Sequence, residues 1–297
     1  MTAEARSIRH WLEQATRRLD AHSESPRLDA ELLLAHCLQR DRSWLMAWPE
    51  HPLEPEMVDC FQALLRQRLE GQPVAYLLGE REFWSLSLAV TPATLVPRPE
   101  TELLVETALE WLADRPAPRL LELGTGSGAI ALALKKERAD ADITATDISP
   151  RALAVAAGNA RRHRLDIRFL VSDWYAAIDG GAVFDLILSN PPYIAAGDPF
   201  LQRGDLPAEP QQALCSGPEG LEALRRIIAG APGRLKSGGG LMLEHGYRQG
   251  DAVRGLLQAE GFERVHSLED FSGLPRVSLG TKPGPVQGEV EIHRPPS

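Results

Sequence analysis

At 297 residues the chain is long enough for about two domains, each able to bury a core of its own. Its 41 acidic residues outnumber 32 basic ones for a net charge of -9, which excludes a global positive field that would draw the protein onto phosphate backbones or anionic lipid. The 3 cysteines, Cys37, Cys60 and Cys215, have no CxxC spacing, which excludes a disulfide framework and a zinc knuckle; all are expected as packing residues.

The opening MTAEARSIRHWLEQ lacks the apolar stretch of a signal peptide, and no apolar run approaches the ~20 residues that span a bilayer, so a soluble cytoplasmic protein is expected. Residues 1–75 read as helices only. Ile8, Trp11, Leu12, Ala15 and Leu19 keep the i, i+3, i+4, i+7 spacing. Ser25-Pro26 has the form of an N-cap with proline at N1 ahead of Leu28, Leu32, Leu33 and Cys37, and Met57, Phe61, Leu64, Leu65 and Leu69 follow Pro55. These runs predict a small all-α helical bundle. Residues 76–96 alternate apolar and small polar positions around turn formers, which predicts a hairpin linker. After Pro97, Arg98 and Pro99 a helix is predicted over 100–113, with Leu104, Ala108, Trp111 and Leu112 on one side.

From Arg119 short apolar strands alternate with helices, the pattern of an α/β, Rossmann-like doubly wound domain over 97–281. Strands are predicted at 119–123, 142–147, 167–172, 184–189, 239–244, 263–268 and 275–280, and helices at 128–137, 150–163, 218–235 and 248–260. The result is a seven-stranded, mostly parallel sheet ending in an antiparallel hairpin. The Pro- and Gly-rich tail, 282–297, is expected to be disordered.

The strand ending in Glu122 runs into Gly124, Thr125, Gly126, Ser127 and Gly128, and a helix follows at once. Such a loop lets backbone N–H groups approach a ligand closely. Its G-x-G-x-G spacing differs from the dinucleotide G-x-G-x-x-G, and a carboxylate at Glu122 would repel a pyrophosphate. That charge suits the cationic methionine moiety of S-adenosyl-L-methionine, so a class I methyltransferase fold is expected. Asp147, ending the second strand, is expected to accept from the ribose hydroxyls, since Ser149 already serves as the helix cap. Asp173 is expected to accept from the adenine amino group and Trp174 to pack on the ring.

The fourth strand leads into Asn190, Pro191, Pro192 and Tyr193, which joins two rigid φ angles to a side-chain acceptor and an aromatic wall. Asn190 Oδ1 and the Pro191 carbonyl are expected to accept from a planar NH₂ group while Tyr193 stacks against it; Asn190 also borders the cofactor. An adenine or guanine amino group in nucleic acid and a glutamine amide all fit this motif. Asp185 reads as structural, and His245 in LEHG completes no HExxH, so no metal is expected.

Residues 5–281 resemble the release-factor glutamine methyltransferases, the PrmC or HemK family, in GEREFW (79–84), LVPRPETE (95–102), LELGTGSGAIALAL, TDIS, SDWY, SNPPYI, LEHGYRQG (243–250) and RVSLG (276–280). The resemblance implies methylation of the glutamine side-chain nitrogen (N5) in the Gly-Gly-Gln motif of peptide chain release factors. It puts the cofactor at 124–128, Asp147 and Trp174, and the glutamine at 190–193, with Arg98, Glu100 and the rest of 98–102 beside the transfer site. The helical region becomes a docking module for a protein substrate. The acidic chain offers no basic region for base flipping, so nucleic acid is not an expected partner, nor is a membrane, and a monomer is expected.

Overall fold

Ser7 caps the first helix, α1 (Ile8–Leu19), by accepting from the His10 amide at 3.3 Å, and the face anticipated from spacing is the buried one. The computed structural model describes residues 7–284. α2 (Pro26–Leu38) and α4 (Pro55–Leu69) each begin with proline and share one core with α1 around Leu33, Leu34 and Phe61. Between them lies α3 (Arg42–Ala47), which is too short to carry a visible period; Asp41 caps it at 2.8 Å from the Trp44 amide. Cys37 packs in this core, but Cys60 is exposed with its Sγ 2.6 Å from that of Cys37, and Cys215 is only half-buried. Packing therefore accounts for only one of the three cysteines.

The start of the predicted hairpin is instead α5 (Val74–Leu78), whose left-handed C-cap Gly79 turns the chain into β1 (Glu80–Phe83) and β2 (Leu86–Ala89). Their two-residue turn places Trp84 and Ser85 at φ +51° and +54°, a geometry that favours Asn-Gly. Trp84 is held there by tertiary bonds, from its amide to Glu102 at 2.9 Å and from its indole to Glu137 at 3.0 Å.

A 3-10 turn, Pro99–Thr101, leads into α6 (Glu102–Trp111). The chain then alternates through β3 (Arg119–Leu123), α7 (Ala129–Glu137), β4 (Asp142–Asp147), α8 (Pro150–His163), β5 (Arg168–Val171) and β6 (Phe184–Ser189). It closes with α9 (Gln211–Leu214), α10 (Glu222–Gly230), β7 (Leu235–Glu244), α11 (Gly250–Ala259), β8 (Glu263–Glu269) and β9 (Pro275–Thr281). The strand order is β5-β4-β3-β6-β7-β9-β8, parallel except for β9, which runs against both its neighbours. Helices α6 and α7 cover one face, α10 and α11 the other, and β3 alternates Leu120 and Leu121 between the two cores. The winding reverses between β3 and β6, so a crevice opens beyond their carboxyl ends, the usual ligand position in such sheets.

The helix predicted over 218–235 is confined to α10. Gly220 before it is left-handed, and Pro232 after it supplies no amide, so residues from Leu235 join β7 instead. Of the predicted tail, residues 285–297 lie outside the described residues, whereas Lys282 continues the sheet with its amide on the Gly239 carbonyl at 2.8 Å.

The helical region is fastened to the segment after β6 by one buried cation. Arg68 of α4 donates to Asp29 of α2 at 2.8 Å and to Asp205 at 2.6 Å. Arg68→Met is expected to cost ~3–5 kcal/mol in denaturant unfolding, because Asp29 stays buried without its cation. A loss below ~1 kcal/mol would show that Asp29 is not left buried and unpaired by the substitution.

Candidate active site

The crevice holds a cavity of about 370 Å³ walled by β3, β4, β5 and β6 ends, the segment 93–101 and the segment 210–217. On its floor Thr125 donates its amide to the Thr146 carbonyl at 2.9 Å, tying the glycine loop across to β4. Gly128 lies behind this wall at φ +86°, where an added Cβ would meet Leu132 at 3.1 Å and Ala156 at 3.2 Å, so both backbone and packing require glycine. Asn159 of α8, fully buried, donates to the Ser127 carbonyl at 2.9 Å and exchanges bonds with Ala89 of the hairpin at 2.8 and 3.0 Å. In the sequence it reads as one polar residue on a helix, with nothing to mark a contact 70 residues away.

Glu122 is buried on the cavity wall. Its Oε2 accepts from the Thr125 hydroxyl at 2.7 Å and the Ala131 amide at 3.0 Å, while Oε1 has no partner. Burial pushes the carboxyl up to about 7, against the pull of those two bonds. Asp147 faces the same space. Its two oxygens accept from the Gly126 and Ser149 amides, each at 2.9 Å, and burial raises its pKa above the usual carboxylate range. Ser149 caps α8 by accepting from Ala152 at 3.2 Å, which leaves Asp147 free of that task.

At the end of β5, Asp173 and Trp174 both line the cavity. Trp174 is left-handed at φ +50°, and its ring passes 3.7 Å from the point where a side chain on Gly124 would begin. Asp173 is half-exposed and accepts from Arg226 of α10 at 2.8 Å. Glu222, one turn earlier on α10, adds a buried, unpartnered Oε2 to the same wall.

Beyond β6, Asn190 and Pro192 reach the cavity, but Pro191 and Tyr193 do not line it. The Asn190 amide Nδ2 donates to Thr101 Oγ1 at 3.0 Å. Tyr193 is turned away from the expected stacking position; its hydroxyl donates to Glu244 at 3.3 Å, and burial raises its pKa. Gln249 holds this loop from behind through the Tyr193 carbonyl at 3.0 Å. Arg98 lines the cavity in a close pair with Glu209, which also accepts from the Val96 amide at 2.9 Å; Glu100 is exposed and off the wall. Thr101, Glu209 and Glu244 were not picked out singly by motif, since each acts across a long stretch of chain.

Asp185 is structural, accepting from Arg119 at 2.8 Å and Lys236 at 2.7 Å. His245 is buried between Ser278 and the Gly246 carbonyl, and burial lowers its pKa. Among the described residues no group of three or more His, Cys, Asp or Glu is placed to hold a metal ion, and no helix is long and apolar enough to cross a membrane.

Two family models match this chain, the PrmC N-terminal domain over residues 10–79 and the methyltransferase small domain over residues 99–202. A release factor glutamine methyltransferase of Bordetella pertussis is 51% identical over 86% of this chain and 94% of its own length. Another, of Xylella fastidiosa, is 50% identical over 87% and 94%. Among solved structures, a methyltransferase from Pyrococcus furiosus is similar with a TM-score of 0.52 at 21% identity, covering 75% of this chain and 98% of that one, which shows a shared fold.

Proposed function

The chain belongs to the family of release factor glutamine methyltransferases, and from that premise we propose how its cavity carries out the reaction. The reaction moves a methyl group from S-adenosyl-L-methionine to N5 of the glutamine in the Gly-Gly-Gln motif of peptide chain release factors. When bound, S-adenosylmethionine supplies an electrophilic methyl carbon on a positively charged sulfur.

The residues present fit that cofactor. Glu122 Oε1, a buried carboxylate oxygen with no partner, is matched by a ligand cation such as an α-ammonium group. Asp147 keeps lone pairs beyond its two backbone bonds for a pair of ribose hydroxyls. Trp174 offers a ring face and Asp173 an acceptor to adenine, and Glu222 stands beside them as a second acceptor. The glycine loop lets the backbone close on the ligand, with Gly124, Thr125, Gly126 and Ser127 on the wall and Gly128 behind.

The single observation that carries the transfer step is the commitment of Asn190 Nδ2 to Thr101, which leaves Oδ1 for the cavity. A glutamine amide nitrogen is a poor nucleophile because its lone pair is delocalised into the carbonyl. Asn190 Oδ1 accepts one of its N–H bonds, orients its plane, and stabilises the positive charge that grows on nitrogen. The alkylated nitrogen is strongly acidic and sheds its proton to water, so no dedicated base is required. Pro192 and the wall around it exclude solvent from the amide face, while Tyr193 braces the loop from behind. Arg98, fixed by Glu209, and exposed Glu100 serve as contacts for the chain flanking the glutamine. The helical region docks the protein substrate, and the tie from Arg68 to Asp205 sets its position relative to the cavity.

Incubation with labelled methyl donor, a release factor and, separately, RNA and DNA tests this reading. Label is expected in the release factor, not in its variant lacking the Gly-Gly-Gln glutamine, and not in nucleic acid. Label in nucleic acid with none in the release factor would overturn it.

A further inference from the structure

We propose that Glu209 is a specificity-determining residue: as the counter-ion of Arg98 it keeps the cavity receptive to a positively charged methyl donor, and so favours S-adenosylmethionine over the S-adenosylhomocysteine that the transfer leaves behind. The inference rests on the reading of the cavity as the cofactor's.

Two arginines line the cavity, and each is paired with a carboxylate, Arg98 with Glu209 and Arg226 with Asp173. Three further carboxylates on the wall, Glu122, Asp147 and Glu222, form no ion pair among the described residues; their bonds go to hydroxyl and backbone groups, or an oxygen stays open. The wall therefore carries an excess of negative charge, the sign that attracts a cation. Arg98 stands at the transfer end of it. Its carbonyl accepts from the Thr101 amide at 3.1 Å, and Thr101 Oγ1 accepts from Asn190 at 3.0 Å.

Glu209 reaches Arg98 across 111 residues of chain. Its side chain is fully buried and off the cavity wall, and its other oxygen is occupied by the Val96 amide at 2.9 Å. What it supplies to the cavity is charge. Without it Arg98 becomes an uncompensated cation on the wall.

S-adenosylmethionine and S-adenosylhomocysteine share the adenosine, the ammonium and the carboxylate, and differ by one methyl group and the sulfonium charge that comes with it. A defect of packing weakens both ligands, whereas a change of charge on the wall acts mainly on the donor. During transfer the positive charge passes from sulfur to nitrogen inside the same cavity. Arg98 then meets little net change of charge, so donor binding should respond more than the chemical step.

The test is titration calorimetry with both ligands at mildly alkaline pH, where Glu122 is ionised, in wild type, Glu209→Gln, Arg98→Met and the double variant. Glu209→Gln, which keeps an oxygen for Val96, is expected to lower the ratio of donor to product affinity ~5- to 30-fold, the scale of one unit charge felt across such a cavity at an effective dielectric constant of ~20. Arg98→Met removes the cation and leaves the carboxylate, so its ratio should shift the other way. The double variant should return to within about twofold of wild type. With release factor present, Glu209→Gln should raise KM for S-adenosylmethionine more than it lowers kcat. Equal weakening of both ligands in Glu209→Gln, or shifts of the same sign in the two single variants, would overturn the inference. Should Glu209→Gln fail to fold, an unchanged ratio in Arg98→Met would overturn it alone. A wild-type chain that binds neither ligand would sink the cofactor reading itself; binding of both with one constant ratio in every variant would sink only the role of Glu209.

Discussion

Asn190→Ala is expected to lower kcat for release factor methylation by at least ~10²- to 10³-fold, the scale seen when one preorganised polar group facing developing charge is removed. The substitution deletes Oδ1, the acceptor for the target N–H bond, and leaves Thr101 Oγ1 without its donor. KM for the release factor should change little, because affinity for a protein substrate is spread over the docking surface while Oδ1 meets a single side chain. The loss therefore belongs to kcat. Single-turnover transfer separates it from product release. A rate within about threefold of wild type would mean that the amide is held by some other group.

The second large effect is expected at Glu122. With its carboxyl at about 7 in the free protein, ionisation must accompany capture of a cation, so cofactor affinity should weaken about tenfold per pH unit below neutrality. Glu122→Gln keeps an oxygen for Thr125 and Ala131 but loses the charge, and its dissociation constant above neutrality should rise ~10- to 100-fold, in line with ~1.5–3 kcal/mol for a charge-assisted bond. Titration calorimetry with S-adenosylhomocysteine, which carries the same ammonium group, reads both the affinity and its slope with pH.

Stability should move the opposite way. A carboxyl whose folded pKa lies above its unfolded value contributes stability that is full below the unfolded value, near 4.5, and is lost as pH rises through the folded value near 7. Glu122 and Glu244 both act in this sense, so the free protein should lose stability from mildly acidic to neutral pH. Glu122→Gln should flatten that decline while binding cofactor worse. A variant that loses affinity and stability together at neutral pH would point to a packing defect instead of a missing charge.

The parts of this molecule that were legible in sequence are those written in consecutive residues. β3, β4, β6 and α8 match the predicted spans because each is a short apolar or periodic run bounded by its own stop signals, as with the Ser149 cap ahead of Pro150. The glycine loop, Asp147 and Asn190 reach the cavity wall for the same reason, since each sits where a strand ends. What was missed lies between distant segments. Thr101 meets Asn190 across 89 residues, Val96 meets Glu209 across 113, and Asn159 meets the hairpin across 70. No local pattern records such pairings. An aromatic after two prolines has the form of a substrate wall, but the buried Glu244 that takes the Tyr193 hydroxyl belongs to a different strand. The apolar spacing of α10 runs on past Gly230, while Pro232 decides where the helix stops.

Fragmentation mass spectrometry of a release factor methylated by this chain tests most directly the idea that one primary amide is held edge-on beside the methyl donor. A single methyl on N5 of the Gly-Gly-Gln glutamine is expected, with the neighbouring backbone and every other side chain unmodified. A methyl found on any other atom while that glutamine stays intact would contradict it.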